Sequence, residues 1–301
     1  MKKINVLGSL NMDLVTNVNV TPKVGETILG SGFSQIAGGK GANQAAAIGR
    51  LGGNVSMIGR VGKDSFADEL LASLRNDNVD IKNVSKSEVK PTGTALIMVN
   101  SDGDNSIVVI PGANFDIDRG DICKEMLDGD YLVAQLETPL EVIESSFKLA
   151  KAKGIKTVLN PAPAKKLSKE LLSRVDILIP NETEFEFITG HNALDEGELD
   201  LGVKKLIDLG TGLVLITLGS NGSVLCDGKE KKYFETSKVK AVDTTAAGDS
   251  FIGGLLYSLS NGKSIDESIV FASKVAALTV TRSGAQSSLP TLKEVNERYG
   301  V

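Results

Sequence analysis

Short apolar runs alternate with amphipathic stretches along most of this chain, and that alternation constrains the fold more than any other feature. Residues 4–8, 55–58, 131–135, 157–160, 177–180 and 213–218 read as buried strands. Residues 65–76, 140–153 and 199–209 carry helical periodicity between them. Strands apolar on both faces and separated by helices predict an α/β three-layer sandwich, with a mostly parallel sheet covered on both sides. Two places break the pattern. Residues 15–20 and 28–35 look extended, and residues 94–100 and 106–110 flank Ser101-Asp102-Gly103-Asp104-Asn105, where Asp-Gly suits the positive-φ positions of a hairpin turn. These segments have no helix of their own. They predict a small antiparallel β lid, drawn from about 14–36 and 91–112, on a single 1–301 unit. Such a sheet must pack on something, and a ligand site or a second subunit would serve.

Composition matters mainly for what it excludes. The net charge of −5, without a long basic block, argues against nucleic acid as a main partner. The two cysteines, Cys123 and Cys226, do not make a disulfide framework and point to a reducing compartment. Residues 1–8 turn polar too early for a signal-peptide core, and no apolar run reaches the roughly 20 residues of a membrane span. A cytoplasmic location is expected. The single histidine, His191, lies in a loop-like segment and reads as a surface residue. Neither a Gly-x-Ser-x-Gly elbow nor a Cys/His cluster with zinc spacing is evident, so Ser-His-Asp and zinc chemistry are disfavoured.

Four groups of residues carry chemical meaning. Gly38-Gly39-Lys40-Gly41-Ala42-Asn43-Gln44 runs into a helical stretch over 45–51. Its glycines allow close backbone approach and Asn43 can both donate and accept, as a polyhydroxyl ligand requires. A tight strand-to-helix turn would use the same residues. The run fails the dinucleotide fingerprint because Gln44 replaces its last glycine, and no Gly-Lys pair has the upstream glycine of a P-loop. Val242-Asp243-Thr244-Thr245-Ala246-Ala247-Gly248-Asp249-Ser250 places small residues before an apolar helix. Free N–H groups at such a start suit a transferring phosphoryl group, and Asp249 beside them could take a hydroxyl proton. It could equally be a helix cap. Pro180-Asn181-Glu182-Thr183-Glu184 follows a strand, so Asn181 and Glu184 could order a hydrated Mg²⁺ or simply form a capping box. Asn11, Asp13 and Glu137 sit at strand ends, where open α/β sheets bind ligands, and suit a neutral sugar better than a phosphorylated one.

Together these motifs make the chain resemble the ribokinase family of carbohydrate kinases over nearly its whole length. The resemblance also rests on Gln135-Leu136-Glu137, Asn160-Pro161-Ala162-Pro163-Ala164, Thr217-Leu218-Gly219-Ser220 and Thr281-Arg282-Ser283-Gly284-Ala285-Gln286. It implies ATP-dependent phosphorylation of a small sugar, D-ribose at O5, with deoxyribose, fructose, a ketoacid sugar or a nucleoside as alternatives. It implies a sugar set of Asn11, Asp13, Gly39, Lys40, Gly41, Asn43 and Glu137, with Asp249 as base and Ala246, Ala247 and Gly248 as anion hole. Asn181, Glu184, Thr217, Gly219, Gly222, Gly248 and Ser273 fall on nucleotide positions, Glu184 being tied to Mg²⁺. Ser273 departs from the His or Asn common near adenine. An activating K⁺ is implied at Asp243, Thr245, Thr279, Arg282, Gly284 and Ser288, mostly through backbone carbonyls, and a homodimer through the β lid.

Overall fold

The structure, a computed structural model, describes residues 1–102 and 104–300. Its strands are β1 (Ile4–Leu7), β2 (Asn11–Asn17), β3 (Gly32–Gly38), β4 (Val55–Val61), β5 (Asp80–Lys86), β6 (Gly93–Val99), β7 (Asn105–Ile110), β8 (Tyr131–Ala134), β9 (Lys156–Leu159), β10 (Ile177–Leu178), β11 (Leu213–Thr217), β12 (Ser223–Cys226) and β13 (Lys231–Phe234). Its helices are α1 (Lys40–Arg50), α2 (Ser65–Asn76), α3 (Leu140–Ala152), α4 (Lys169–Leu172), α5 (Glu182–Thr189), α6 (Glu196–Asp208), α7 (Ala247–Ser260), α8 (Ile265–Thr279) and α9 (Leu292–Tyr299).

Nine strands form the main sheet in the order β13-β12-β11-β10-β9-β8-β1-β4-β5. Pairing is parallel from β11 through β5, and β12 and β13 add antiparallel to one edge. Side-chain alternation gives the sheet two dry faces. Ile4 and Val6 of β1 and Tyr131 and Val133 of β8 pack into one core with α1, α2, α7 and α8. Leu7, Leu132 and Ala134 point the other way, onto α3 and α6. Each fully buried Leu, Ile or Val contributes about 1.5–3 kcal/mol, so the strands are held by both layers.

The second sheet has four strands in the order β3-β2-β6-β7. The β2–β3 and β6–β7 pairs are antiparallel, and the central β2–β6 pair is parallel. The expected hairpin is the β6–β7 pair; the Gly103 position invoked for its turn lies outside the described residues. The helix expected at residues 45–51 starts earlier, at Lys40, so the glycine run enters the helix itself. α1 and α7 touch along small residues, because a Cβ on Gly253 would lie 2.5 Å from Ala47 Cβ. That approach sets the geometry of the site. No helix among the described residues is long and apolar enough to cross a membrane.

Candidate active site

The parallel strands all end on one edge of the main sheet, and the residues following β1, β8, β9, β10 and β11 carry most of the polar groups singled out above. Two cavities meet there. One, of about 420 Å³, is lined by Asn11, Asp13, Gly39, Lys40, Asn43, Glu137 and Asp249 on the main-sheet side. Ala95 and Ile97 of β6 and Asn105, Ile107 and Val109 of β7 close it from the small sheet, and the 241–245 loop forms its remaining wall. The other, of about 210 Å³, is lined by Asn160, Asn181, Glu184, Thr217, Gly248 and neighbouring groups. Lys40, Thr244, Thr245 and Asp249 line both.

Backbone packing explains the glycines. Gly39 has φ +89°, and a Cβ on it would lie 2.7 Å from Asn11 N. A Cβ on Gly41 would lie 2.7 Å from Gly8 Cα. The start of α1 is therefore pressed against the end of β1 and the start of β2. Ser9 Oγ donates to Glu137 Oε2 at 2.5 Å, and Lys40 N donates to the same oxygen at 3.2 Å. Asn11 is held by a buried residue that sequence reasoning missed, Asn114, whose Nδ2 donates to Asn11 Oδ1 at 2.7 Å and whose Oδ1 accepts from Leu10 N at 2.9 Å.

Asp249 lies in the first turn of α7 and is 7% exposed. Asn43 Nδ2 donates to its Oδ2 and Gln44 Nε2 to its Oδ1, both at 3.0 Å. Burial pushes its carboxyl above the usual range, opposed by Lys40 and by these two amides. Asp13 is pushed up to about 7, first by burial and then by Glu137 and Asp249. Burial would lower the Lys40 ammonium, yet Asp249, Glu137, Glu184 and Asp13 together hold it above its ordinary value. Among the described residues Lys40 makes no ion pair within 4 Å.

α7 has no side-chain cap. Ala247 N donates to Thr244 O at 3.1 Å, which removes it from the expected anion hole. The N–H groups of Gly248 and Asp249 have no hydrogen-bond partner among the described residues, and a Cβ on Gly248 would meet nothing within 4 Å. Ala246 is buried. Open donors at this helix start thus face the smaller cavity, with the helix dipole behind them.

The Asn181–Glu184 pair is a reciprocal capping box: Glu184 N donates to Asn181 Oδ1 at 2.8 Å, and Asn181 N donates to Glu184 Oε2 at 2.9 Å. Both residues also line the smaller cavity, and burial raises the Glu184 carboxyl. Gly219 and Gly222 shape the turn after β11, where a Cβ on Gly222 would lie 2.0 Å from Phe234 O; neither lines the two cavities. Ser273 is buried in α8 and lines neither cavity. His191 follows α5, half-buried, and is absent from both linings.

The residues assigned to a monovalent cation come from two loops that one carboxylate joins. Asp243 Oδ1 accepts from Thr245 N at 2.9 Å, and Oδ2 accepts from Gly284 N at 2.8 Å. Burial pushes this carboxyl up, but the bonds from Thr245 and Gly284 outweigh it and hold it below its ordinary value. The hydroxyls of Thr279 and Ser288 donate to Val275 O and Ala285 O, which leaves their oxygen lone pairs and their carbonyls to serve an ion. Arg282 turns its guanidinium away to Glu294, 2.6 Å distant. A carboxylate with backbone carbonyls suits a weakly hydrated, hard cation. No group of three or more His, Cys, Asp or Glu among the described residues could hold a metal by itself.

Comparison with known proteins bears on this geometry. The profile of the pfkB family carbohydrate kinases matches residues 1–292. The chain is similar to a ribokinase of Staphylococcus aureus, with 39% identity over 98% of this chain and 99% of the relative. It is similar to a ribokinase of Schizosaccharomyces pombe, with 41% identity over 100% and 99%. The solved Arabidopsis thaliana ribokinase complexed with ribose and ATP superposes with a TM-score of 0.92 at 33% identity, covering 98% of both chains.

Proposed function

The chain belongs to the pfkB family of carbohydrate kinases, and we propose that its two adjoining cavities carry out one reaction, the transfer of the γ-phosphoryl group of ATP to O5 of D-ribose. The products are ribose 5-phosphate and ADP. One observation carries the assignment of the site: Asp249 and Lys40 line both cavities, so a group in one meets a group in the other beside a carboxylate and an ammonium.

The larger cavity takes the sugar. Asn11, Asp13, Asn43 and Glu137 offer donors and acceptors to its hydroxyls, with the Gly39–Gly41 backbone alongside. The smaller takes the phosphates, with Asn181, Thr217 and the turn at Gly219 and Gly222 towards the nucleotide and Ser273 further along α8. O5 forms its bond to the γ-phosphorus as the bond to the bridging oxygen of ADP breaks, and Asp249 receives the O5 proton late in the step. The open N–H groups of Gly248 and Asp249 stabilise charge on the transferring group, with Lys40 opposite. Bound Mg²⁺, ordered by Asn181 and Glu184, would supply neutralising charge to the phosphates. K⁺ between the 243–245 and 279–288 loops would stiffen the approach to α7.

The same proposal extends to a cytoplasmic homodimer. Ala95, Ile97, Ile107 and Val109 face the cavity, and strand alternation sends Leu96, Val108 and Ile110 to the other face. Those three are exposed and apolar, which a second copy would cover.

A coupled ADP assay with ribose, 2-deoxyribose, fructose, a keto-sugar acid and a nucleoside, each in K⁺ and in Na⁺, tests the reading. Ribose is expected to give the highest kcat/KM, with K⁺ above Na⁺. No turnover of ribose above blank would reject it.

A further inference from the structure

We propose that Gln44 is a positioning residue for the catalytic carboxylate: its side-chain amide, oriented by Asn160 and Gln135, holds Asp249 Oδ1 while Asn43 holds Oδ2. The proposal rests on the role of Asp249 given above and adds the device that fixes it.

Gln44 and Gln135 are both fully buried. Gln44 Nε2 donates to Asp249 Oδ1 at 3.0 Å and lies 3.3 Å from Asn160 Oδ1. Its Oε1 accepts from Gln135 Nε2 at 2.7 Å. A flipped Gln44 amide would set NH₂ against NH₂ at Gln135 and oxygen against oxygen at both Asp249 and Asn160. Asn160 is itself pinned, donating Nδ2 to Ile179 O at 3.1 Å. Gln135 fits because residue 8 is glycine, since a Cβ there would lie 2.1 Å from Gln135 Oε1. Three elements therefore set one amide, and that amide sets one carboxylate oxygen. Gln44 lines neither cavity, so it acts on the reaction through Asp249 and not on substrate.

The charged groups facing Asp249 are Lys40 from α1, Glu137 after β8, Asp13 from β2 and Glu184 from α5. Burial and the three carboxylates favour the protonated form; Lys40 and the two amides favour the ionised form that a base requires. Removing one charge-assisted donor tips this balance towards the proton.

The test is Gln44→Met, which keeps volume and removes the amide. Loss of a hydrogen bond to a charged group moves the acid limb of the kcat–pH profile upward by about one pH unit. Misplacing the base lowers kcat by about tenfold or more. KM for the sugar stays within about twofold, as expected for a residue outside the sugar cavity. A ¹³C-carboxyl titration of Asp249 in the substrate-free protein reads the same upward shift without turnover. It therefore separates failure of this inference from failure of the proposed reaction. Should Gln44→Met not fold, Gln135→Met leaves Gln44 in place but frees its amide, and a smaller shift in the same direction is expected. A folded variant whose kcat falls while the acid limb and the Asp249 titration stay in place would show packing only and overturn the proposal.

Discussion

Replacing Asp249 with Asn separates the chemistry of this site from its architecture. The carboxylate receives one N–H from Asn43 and one from Gln44, so an amide at 249 presents its own NH₂ to a donor on one side. Gln44 is kept from turning by Asn160, whose Oδ1 faces Gln44 Nε2 while its own Nδ2 is pinned to Ile179 O. Asn43 can turn, because its Oδ1 is buried without a partner. The variant should settle with its oxygen on Gln44 and its NH₂ on Asn43 Oδ1, leaving both amides bonded. A buried charge whose ionised form is disfavoured also disappears. Stability should therefore stay within about 1 kcal/mol of the parent, well short of the ~1–3 kcal/mol that an unsatisfied buried donor would cost. Activity should not survive as well: loss of a general base costs about 10²–10⁴ in rate, or ~3–5 kcal/mol of transition-state stabilisation. Thermal unfolding, ribose calorimetry and the coupled assay measure the three quantities on one preparation. A variant with kcat within threefold of the parent (about 0.7 kcal/mol) would refute the assignment of Asp249 as base, whatever its stability.

Three further outcomes follow from particular contacts. Burial and its carboxylate neighbours push Asp13 up to about 7 from an ordinary 3.8, so its stabilising contribution is present below about pH 4 and lost as pH rises towards 7. The Tm advantage of Asp13→Asn over the parent should accordingly grow between pH 4 and pH 8, and a constant difference would contradict it. Gly41→Ala places a methyl against the backbone of Gly8 and Ser9, which cannot yield as a side chain would. Overpacking of this kind costs ~1–3 kcal/mol, read as a lower urea midpoint, and moves α1 away from the sugar cavity. Asn114→Ala strips Leu10 N of its acceptor and Asn11 of its donor, so a loss of ~1–3 kcal/mol should accompany weaker ribose binding by calorimetry.

What could be read from the sequence follows the physics of burial. β1, β4 and β8 to β11 are interior strands, covered on both faces, and their continuous apolar runs announce them. β5 is an edge strand with no fully buried residue, and β13 another, so neither carries an apolar run. In the site, Asn11, Asp13, Asn43, Glu137 and Asp249 were recognisable as polar groups at strand ends and helix starts and Lys40 through the family resemblance, and the fold brings all of them to one cavity. Gln44, Gln135, Asn160 and Asn114 were not, although the first three lie inside quoted motifs. An uncharged amide gives no local sign of whether it meets solvent or another amide, and the side-chain partners here are 91 to 205 residues apart. The apolar lid residues were hidden for a different reason. β6 and β7 show ordinary strand patterns, and which face sees the cavity depends on the parallel register of β2 against β6, which neither strand specifies alone.

The charge balance of the site explains why these particular groups suffice. Asp13, Glu137, Glu184 and Asp249 surround a single ammonium, and their joint field keeps Lys40 charged against the pull of burial. Such a pocket is negative before any ligand arrives. A neutral sugar enters without electrostatic cost and gains hydrogen bonds to charged acceptors, which are about twice as strong as neutral ones. On the proposed reading a phosphorylated sugar would meet the same carboxylates as repulsion, so the groups assigned to the precursor would disfavour the product. On the proposed reading a nucleoside triphosphate would bring its own counter-ion, and the Asn181–Glu184 pair lining the smaller cavity would be placed to receive it. The capping box and the proposed ligand site would then be the same two residues: the helix start holds their side chains rigid, as an anion carrying a hydrated cation would require.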